Sequence, residues 1–307
     1  MTQTTTNQPK KLSQTEIWLL AARPKTLPAA AAPVVAGTAV AALDHQFRFG
    51  PALAALLAAL LLQIGANIAN DVFDFHKGAD NEQRLGPLRV TQAGLLMPQQ
   101  VLAGMWLTFG LAALLGVYLA WVAGWPVILI GLASIAAAIA YTGGPFPLGY
   151  HGLGDLFVFI FFGLVAVGGT YYVQAGSLSA LAILTGVPLG LLITAILVVN
   201  NLRDLDTDRA TGKHTLAVRL GGRGARIEYL VCLLGAYLSP PLLWIFKLAP
   251  AGGMLAWLSL PWAISLVQMI YTVKGRGLNK ALAGTGQLAL IYAIFYALGL
   301  VLTLIWP

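Results

Sequence analysis

Long apolar runs separated by short polar stretches organise this chain. Nine such runs, near 27–43, 51–72, 101–123, 126–142, 153–173, 180–200, 229–246, 253–272 and 284–306, hold almost no charged side chain. Each approaches the roughly 20 apolar residues that a helix needs to cross a bilayer. None alternates apolar and polar positions as a barrel strand does. The pattern therefore predicts an all-α integral membrane protein of nine transmembrane helices. The runs 27–43 and 126–142 are the short ones, and the first contains Pro28 and Pro33. Ahead of them, residues 1–16 (MTQTTTNQPKKLSQTE) are polar and lack the apolar core of a signal peptide. They are expected to be a disordered N-terminus, with one membrane domain over 17–307.

Composition agrees with a lipid setting. Of 307 residues, 58% are hydrophobic and 9% charged, against about 25% charged in soluble domains. The net charge of +7 raises the possibility of nucleic acid, but its placement argues for topology instead. Sixteen of the eighteen Lys and Arg residues fall in the N-terminal segment or in loops after the second, fourth, sixth and eighth runs, leaving Arg48 and Lys247 on the other side. Basic loops stay cytoplasmic, so the N-terminus is expected inside and the C-terminus outside. The lone Cys232 excludes an internal disulfide.

The eleven acids are clustered as well. Asp71, Asp74, Asp80 and Glu82 follow the second run, and Asp204, Asp206 and Asp208 follow the sixth, on the same expected side. Asn67, Asn70 or Asp71, and Asp74 fall at helical spacings on one face, and Asn200, Asp204 and Asp208 repeat the arrangement. The two stretches read as a weak internal repeat four helices apart. Acids gathered beside lipid need neutralising. Mg²⁺ suits them, because it binds one or two carboxylates and completes its shell with phosphate oxygens. Nearby bases, including Lys77, Arg84, Arg89, Arg203 and Lys213, can hold the remaining phosphate oxygens. A polyphosphate head carrying an apolar tail fits such a site. Two alternatives stay open: simple solvated helix ends, and an ion-coupled transporter. The second is disfavoured because transporter acids sit near mid-membrane, whereas these sit at helix ends.

These residues resemble the UbiA superfamily of intramembrane aromatic prenyltransferases. That family carries NDxxDxxxD after its second helix and DxxxD after its sixth. Here Asp204 and Asp208 complete the second motif, while the first keeps Asp71 and Asp74 but has Gly78 at the third acidic position, with Asp80 two residues later. Four stretches, ARPKTLPAA, NDVFDFHKGADNEQRLGPLRVTQAGLL, YTGGPFPLGYHGLGDLFVFIFFGLVAVGGTYYVQ and NNLRDLDTDRATGKHTLAVRLG, are similar to the 1,4-dihydroxy-2-naphthoate branch of menaquinone synthesis.

The resemblance implies nine helices around a central apolar cavity in the cell's inner membrane, with the site toward the cytoplasm. It implies Mg²⁺ as cofactor, a prenyl diphosphate and a small aromatic acceptor as substrates, and loss of the acceptor's carboxyl group during transfer. Other acceptors (phytyl transfer for phylloquinone, 4-hydroxybenzoate, homogentisate) remain alternatives, as do several tail lengths, and oligomeric state is unread. By residue, Asn67, Asn70, Asp71 and Asp74 are expected at one metal–diphosphate site and Asn200, Asp204 and Asp208 at the other, with Asp80 an added metal candidate. Lys77, Arg84, Arg89, Arg203 and Lys213 are the diphosphate candidates. Arg23 and Tyr141 are expected at the acceptor pocket, an interfacial tyrosine being the other reading of Tyr141. Asp155 reads as a carboxylate favouring a helix N-terminus.

Overall fold

A computed structural model describes residues 12–79 and 84–305. The expected runs reappear as helices: α1 (Gln14–Ala22), α2 (Leu27–Leu43), α3 (Phe49–His76), α4 (Pro98–Ala123) and α5 (Pro126–Ala140). There follow α6 (Gly154–Ala175), α7 (Ala180–Arg203), the short α8 (Leu205–Ala210), α9 (Leu216–Ile245), α10 (Leu260–Thr272) and α11 (Leu278–Leu302). No strand occurs among the described residues. Among the described residues, eight segments are long and apolar enough to cross a membrane, counting α1 with α2. The expected ninth, α5, has 15 residues, about 22 Å at 1.5 Å per residue.

Helix ends differ from the hydropathy runs where polar residues extend a helix. Ser13 accepts a hydrogen bond from the Glu16 amide, and the Glu16 carboxylate accepts one from the Ser13 amide. This reciprocal cap starts α1 inside the segment expected to be disordered, whose residues 1–11 lie outside the described ones. Helix α3 continues to His76, so Asp71 and Asp74 lie in its last turns rather than beyond it. Helix α9 begins at Leu216, thirteen positions before the expected 229, and bends at Gly221, whose φ of 71° suits glycine.

Two apolar clusters hold the helices together. One joins α2, α7, α9 and α11 through residues such as Val40, Leu192, Tyr229 and Leu288. The other joins α1, α3, α4 and α5 through Ile17, Val72, Met105 and Ile139. Glycine permits a close crossing: a Cβ on Gly163 of α6 would lie 2.6 Å from the Gly186 carbonyl of α7. Such small-residue contact is how helices associate in lipid. A third cluster, Ala54, Leu119, Val127 and Val173, gathers the start of α3, the end of α4, the start of α5 and the end of α6 at one end of the bundle. At the opposite end the Thr142 hydroxyl, just past α5, donates to Asn70 on α3. Helix α5 therefore runs between the two ends.

Candidate active site

A cavity of about 610 Å³ opens between α2, α3, α4, α5, α6 and α7. Its two ends differ chemically. Asn67, Asn70, Asp74, Arg84, Arg89, Asn200, Asp204, Asp208 and Lys213 gather at one end, while Ala55, Ala58, Leu119, Val127, Phe161 and Val173 line the remainder. Ala55 and Asp74 stand nineteen positions apart on α3, about 28 Å along the helix axis. The cavity as a whole, charged end included, thus runs nearly the depth of a bilayer core. Val117, Ile128 and Leu132, from α4 and α5, line the cavity and are exposed.

The last turns of α3 hold the first acidic group. At 100° per residue, Asn67, Asn70 and Asp74 fall within about 60° of arc and Asp71 lies to one side. The three line the cavity and Asp71 does not. The Asn67 amide donates to the Ala22 carbonyl and to the Thr26 hydroxyl, 2.9 Å each, fastening α3 to the chain leading into α2. Asp71 instead accepts the backbone N–H groups of Val90 and Thr91, one on each oxygen, at 3.0 Å. It anchors the segment that follows α3. Asp74 takes a 2.9 Å ion pair from Arg89 and a 2.6 Å hydrogen bond from the Tyr150 hydroxyl.

The second group does not sit on one uninterrupted helix. Asp204 is the joint between α7 and α8 (φ −95°, ψ 8°), yet the amides of Asp204 and Asp208 still bond to the carbonyls four residues earlier. That continuity keeps Asn200, Asp204 and Asp208 together on the cavity wall. Lys213 joins the two groups, its ammonium 3.7 Å from Asp74 and 3.7 Å from Asp208. Both acidic stretches are thus at one end of one cavity.

The basic candidates divide. Arg84, Arg89 and Lys213 line the cavity, as does Arg23. Arg203 and Lys77 do not. The Arg203 guanidinium holds both oxygens of Asp204 and also donates to Asn200 at 2.8 Å and to Asn279 at 2.7 Å. Lys77 donates to the Gly144 carbonyl and stands 5.1 Å from the Tyr150 ring centroid. Asp80 lies outside the described residues. Tyr141 lines the cavity beside Gly149 and Gly154. Burial, and then the charges of Asp155, Asp74 and Asp208, keep its phenol protonated. Asp155 is buried at the start of α6 but off the cavity wall.

Electrostatics follow from this packing. Burial pushes the Asp208 carboxyl up to about 6, and the nearby Asp204 and Asp74 charges add to the effect, while Lys213 and Arg203 oppose it. Sequence reasoning did not find Tyr150, Thr142 or Asn279. Tyr150 sits within the glycine- and proline-rich stretch after α5, between Lys77 and Lys213, whose ammonium lies 4.5 Å from its ring centroid. Asn279 is 76 residues from its partner Arg203, and no local spacing marks it.

The donor set suits a hard divalent cation, since every acidic and amide side chain at this end offers oxygen. Among the described residues no three acidic, imidazole or thiol groups converge on one point. Each ion would therefore take one or two carboxylates and complete its shell with phosphate and water.

Residues 30–291 match the model of the UbiA prenyltransferase family. The chain is 38% identical over 301 residues to the 1,4-dihydroxy-2-naphthoate octaprenyltransferase of Escherichia coli, covering 96% of this chain and 98% of that one. To the enzyme of the same name from Mycobacterium tuberculosis it is 40% identical, covering 91% and 95%. Its fold resembles the solved apo structure of a UbiA homolog from Aeropyrum pernix (TM-score 0.67, 18% identity, covering 95% and 100%). It also resembles that of a UbiA homolog from Archaeoglobus fulgidus bound to GPP and Mg²⁺ (TM-score 0.67, 12% identity, covering 93% and 99%). A family match over most of the chain, on a cavity joining an acidic, basic head to an apolar depth, makes this protein a multi-pass membrane member of the UbiA prenyltransferase family.

Proposed function

We propose that this protein transfers a polyprenyl group from its diphosphate to 1,4-dihydroxy-2-naphthoate, with loss of the acceptor's carboxyl group, in menaquinone synthesis. The observation that carries the reading is the two-ended cavity, whose charged end unites Asp74 with Asp208 through Lys213 and whose apolar end suits a prenyl tail. The identities to naphthoate octaprenyltransferases favour that acceptor over 4-hydroxybenzoate or homogentisate.

Asp74, Asp204 and Asp208, with the oxygens of Asn67, Asn70 and Asn200, would hold Mg²⁺. When bound, Mg²⁺ supplies charge stabilisation to the departing diphosphate. Arg84, Arg89 and Lys213 face the same end and stabilise the charge that develops on the leaving oxygen. The allylic C–O bond breaks, its electron pair leaving with diphosphate. The acceptor ring then forms the new C–C bond and releases carbon dioxide from the carbon that bore the carboxylate. Phe157 and Phe161 with the alanines of α3 keep water from the cation. Asp71 supports the site by fixing the segment that carries Arg89.

Nine crossings and a cytoplasmic site in the inner membrane complete the reading. The opposite contacts of α5, Val127 at one end and Thr142 at the other, favour counting it as a crossing. An even number of passages between α3 and the end of α7 then accounts for both acidic groups lying on one side, the side of the basic loops.

An acceptor panel tests the proposal. Purified protein with a prenyl diphosphate and Mg²⁺ is offered 1,4-dihydroxy-2-naphthoate, 4-hydroxybenzoate and homogentisate, and products are identified by mass spectrometry. A decarboxylated, prenylated naphthalenediol is expected, and it disappears with EDTA. Prenylation of another acceptor only, or turnover that persists in chelator, refutes it.

A further inference from the structure

Segment 84–91 supplies two cavity-wall arginines, Arg84 and Arg89, so whatever positions this segment positions the diphosphate-binding groups. Asp71 holds one end, through Val90 and Thr91. The other end rests on residues with no expected role. The Asn279 side chain, at the start of α11, donates from Nδ2 to the Leu85 carbonyl at 2.9 Å. Its Oδ1 accepts from Arg203 at 2.7 Å. One amide therefore ties the segment to the guanidinium that grips Asp204.

A second contact meets the same guanidinium independently. A Cβ on Gly86 would lie 2.9 Å from Arg203 Nη2 and 2.9 Å from Arg84 Nη2. The ends of arginines ordinarily yield to a methyl group. Arg203 is 3% exposed and is held by Asp204, Asn200 and Asn279, so it has little freedom to move. The backbone at Gly86 approaches the Arg203 head as closely as only glycine permits.

We infer that Asn279, with Gly86, is a positioning residue for the prenyl diphosphate: it docks segment 84–91 on Arg203 and thereby holds Arg84 and Arg89 at the charged end of the cavity. Asn279 itself is not on the cavity wall and acts through its two hydrogen bonds. This role rests on the proposed function for the ligand it names, but the docking contact stands without it.

Three variants test the inference. Asn279→Ala removes both bonds. Asn279→Asp keeps an acceptor for Arg203 and loses the donor to Leu85, placing a carboxylate oxygen against a carbonyl. Gly86→Ala disturbs the same contact from the segment side. Hydrogen exchange over residues 84–97 is followed in the metal-free protein, and binding of geranyl diphosphate with Mg²⁺ and steady-state kinetics are measured on the same samples. All three variants are expected to speed exchange of the segment and to raise the donor Kd and KM by up to about ten-fold, the upper range for one lost hydrogen bond between neutral groups. The acceptor KM stays unchanged. Wild-type exchange in Asn279→Asp overturns the docking role, and so does a rise in acceptor KM equal to that for donor, which marks general loosening. If wild-type protein binds no prenyl diphosphate, the proposed function fails while the exchange data still decide the docking contact.

Discussion

Asp71 offers the sharpest test of how this site is built, because its two oxygens are committed to the backbone. Val90 and Thr91 each donate to one oxygen at 3.0 Å, and the carboxylate is 1% exposed. Asp71→Asn preserves shape and keeps one acceptor, but its NH₂ group then faces a buried amide N–H. Leaving that N–H unsatisfied costs about 1–3 kcal/mol, and the bond that remains loses its charge assistance. A net loss of about 2–3 kcal/mol is expected, concentrated in the segment that carries Arg89. Thermal unfolding in detergent, in the presence of EDTA, reads this loss with no metal involved. Turnover at saturating Mg²⁺ is expected to fall because Arg89 is no longer held where it meets the diphosphate. If Asp71→Asn unfolds at the wild-type temperature in EDTA, yet loses Mg²⁺ binding, the anchor reading fails and Asp71 acts as a metal ligand first.

Two other predictions use different parts of the cavity. The Asp208 carboxyl is raised from 3.8 to about 6, chiefly by burial; the folded metal-free protein therefore holds this proton more tightly than the unfolded chain, and the stability this confers is lost as pH rises through about 6. Mg²⁺ needs the ionised form, so its affinity is expected to climb over the same interval in wild type and to stay flat in Asp208→Asn; a flat wild-type titration between pH 5 and 7 refutes the assignment. Gly169 lines the apolar part and a Cβ there meets nothing within 4 Å, so Gly169→Leu is expected to fill the tail passage without disturbing packing. It should keep most activity with geranyl diphosphate and lose about ten-fold or more with octaprenyl diphosphate; equal losses for both donors contradict the tail path.

What could be read from the sequence follows from which signals are local. Apolar runs announce helices directly, and α2 ends where its run ends, at Leu43. The start of α9 escaped because Arg219, Arg223, Arg226 and Glu228 interrupt the apolar pattern that defines a run. The grouping of acids was legible, since few charges occur in so apolar a chain. Their individual orientations were not. Asp71 and Asp74 share one motif, but three residues of helix separate them by 60° of arc, enough to turn one toward a loop amide and the other toward the cavity. Arg203 and Lys213 looked alike as loop bases, yet burial commits the first to Asp204 while the second bridges Asp74 and Asp208. Tertiary partners decide these roles, and spacing holds no record of them.

The ion pairs already present at the cavity's charged end bear on how its substrates enter. Asp74 is matched by Arg89 and Lys213, Asp204 by Arg203, and Asp208 by Lys213, so the metal-free protein carries its own counter-ions. A divalent ion arriving alone must compete with these cations for the carboxylates and would leave arginines partly unpaired in a buried setting, where an uncompensated charge costs about 3–5 kcal/mol. A diphosphate arriving alone meets the mirror-image difficulty. When both arrive, Asp74 and Asp208 turn to the metal and the released Arg89 and Lys213 turn to the phosphate oxygens, while Arg203 keeps its bonds to Asp204, and no charge is stranded. Binding of the two should accordingly be coupled and reciprocal. Titration of Mg²⁺ into the protein is expected to show weak binding by itself and at least ten-fold tighter binding with geranyl diphosphate, with the same factor found when the order is reversed. Equal Mg²⁺ affinity with and without the donor means that the internal ion pairs do not compete with the metal, and the site is then filled in two independent steps.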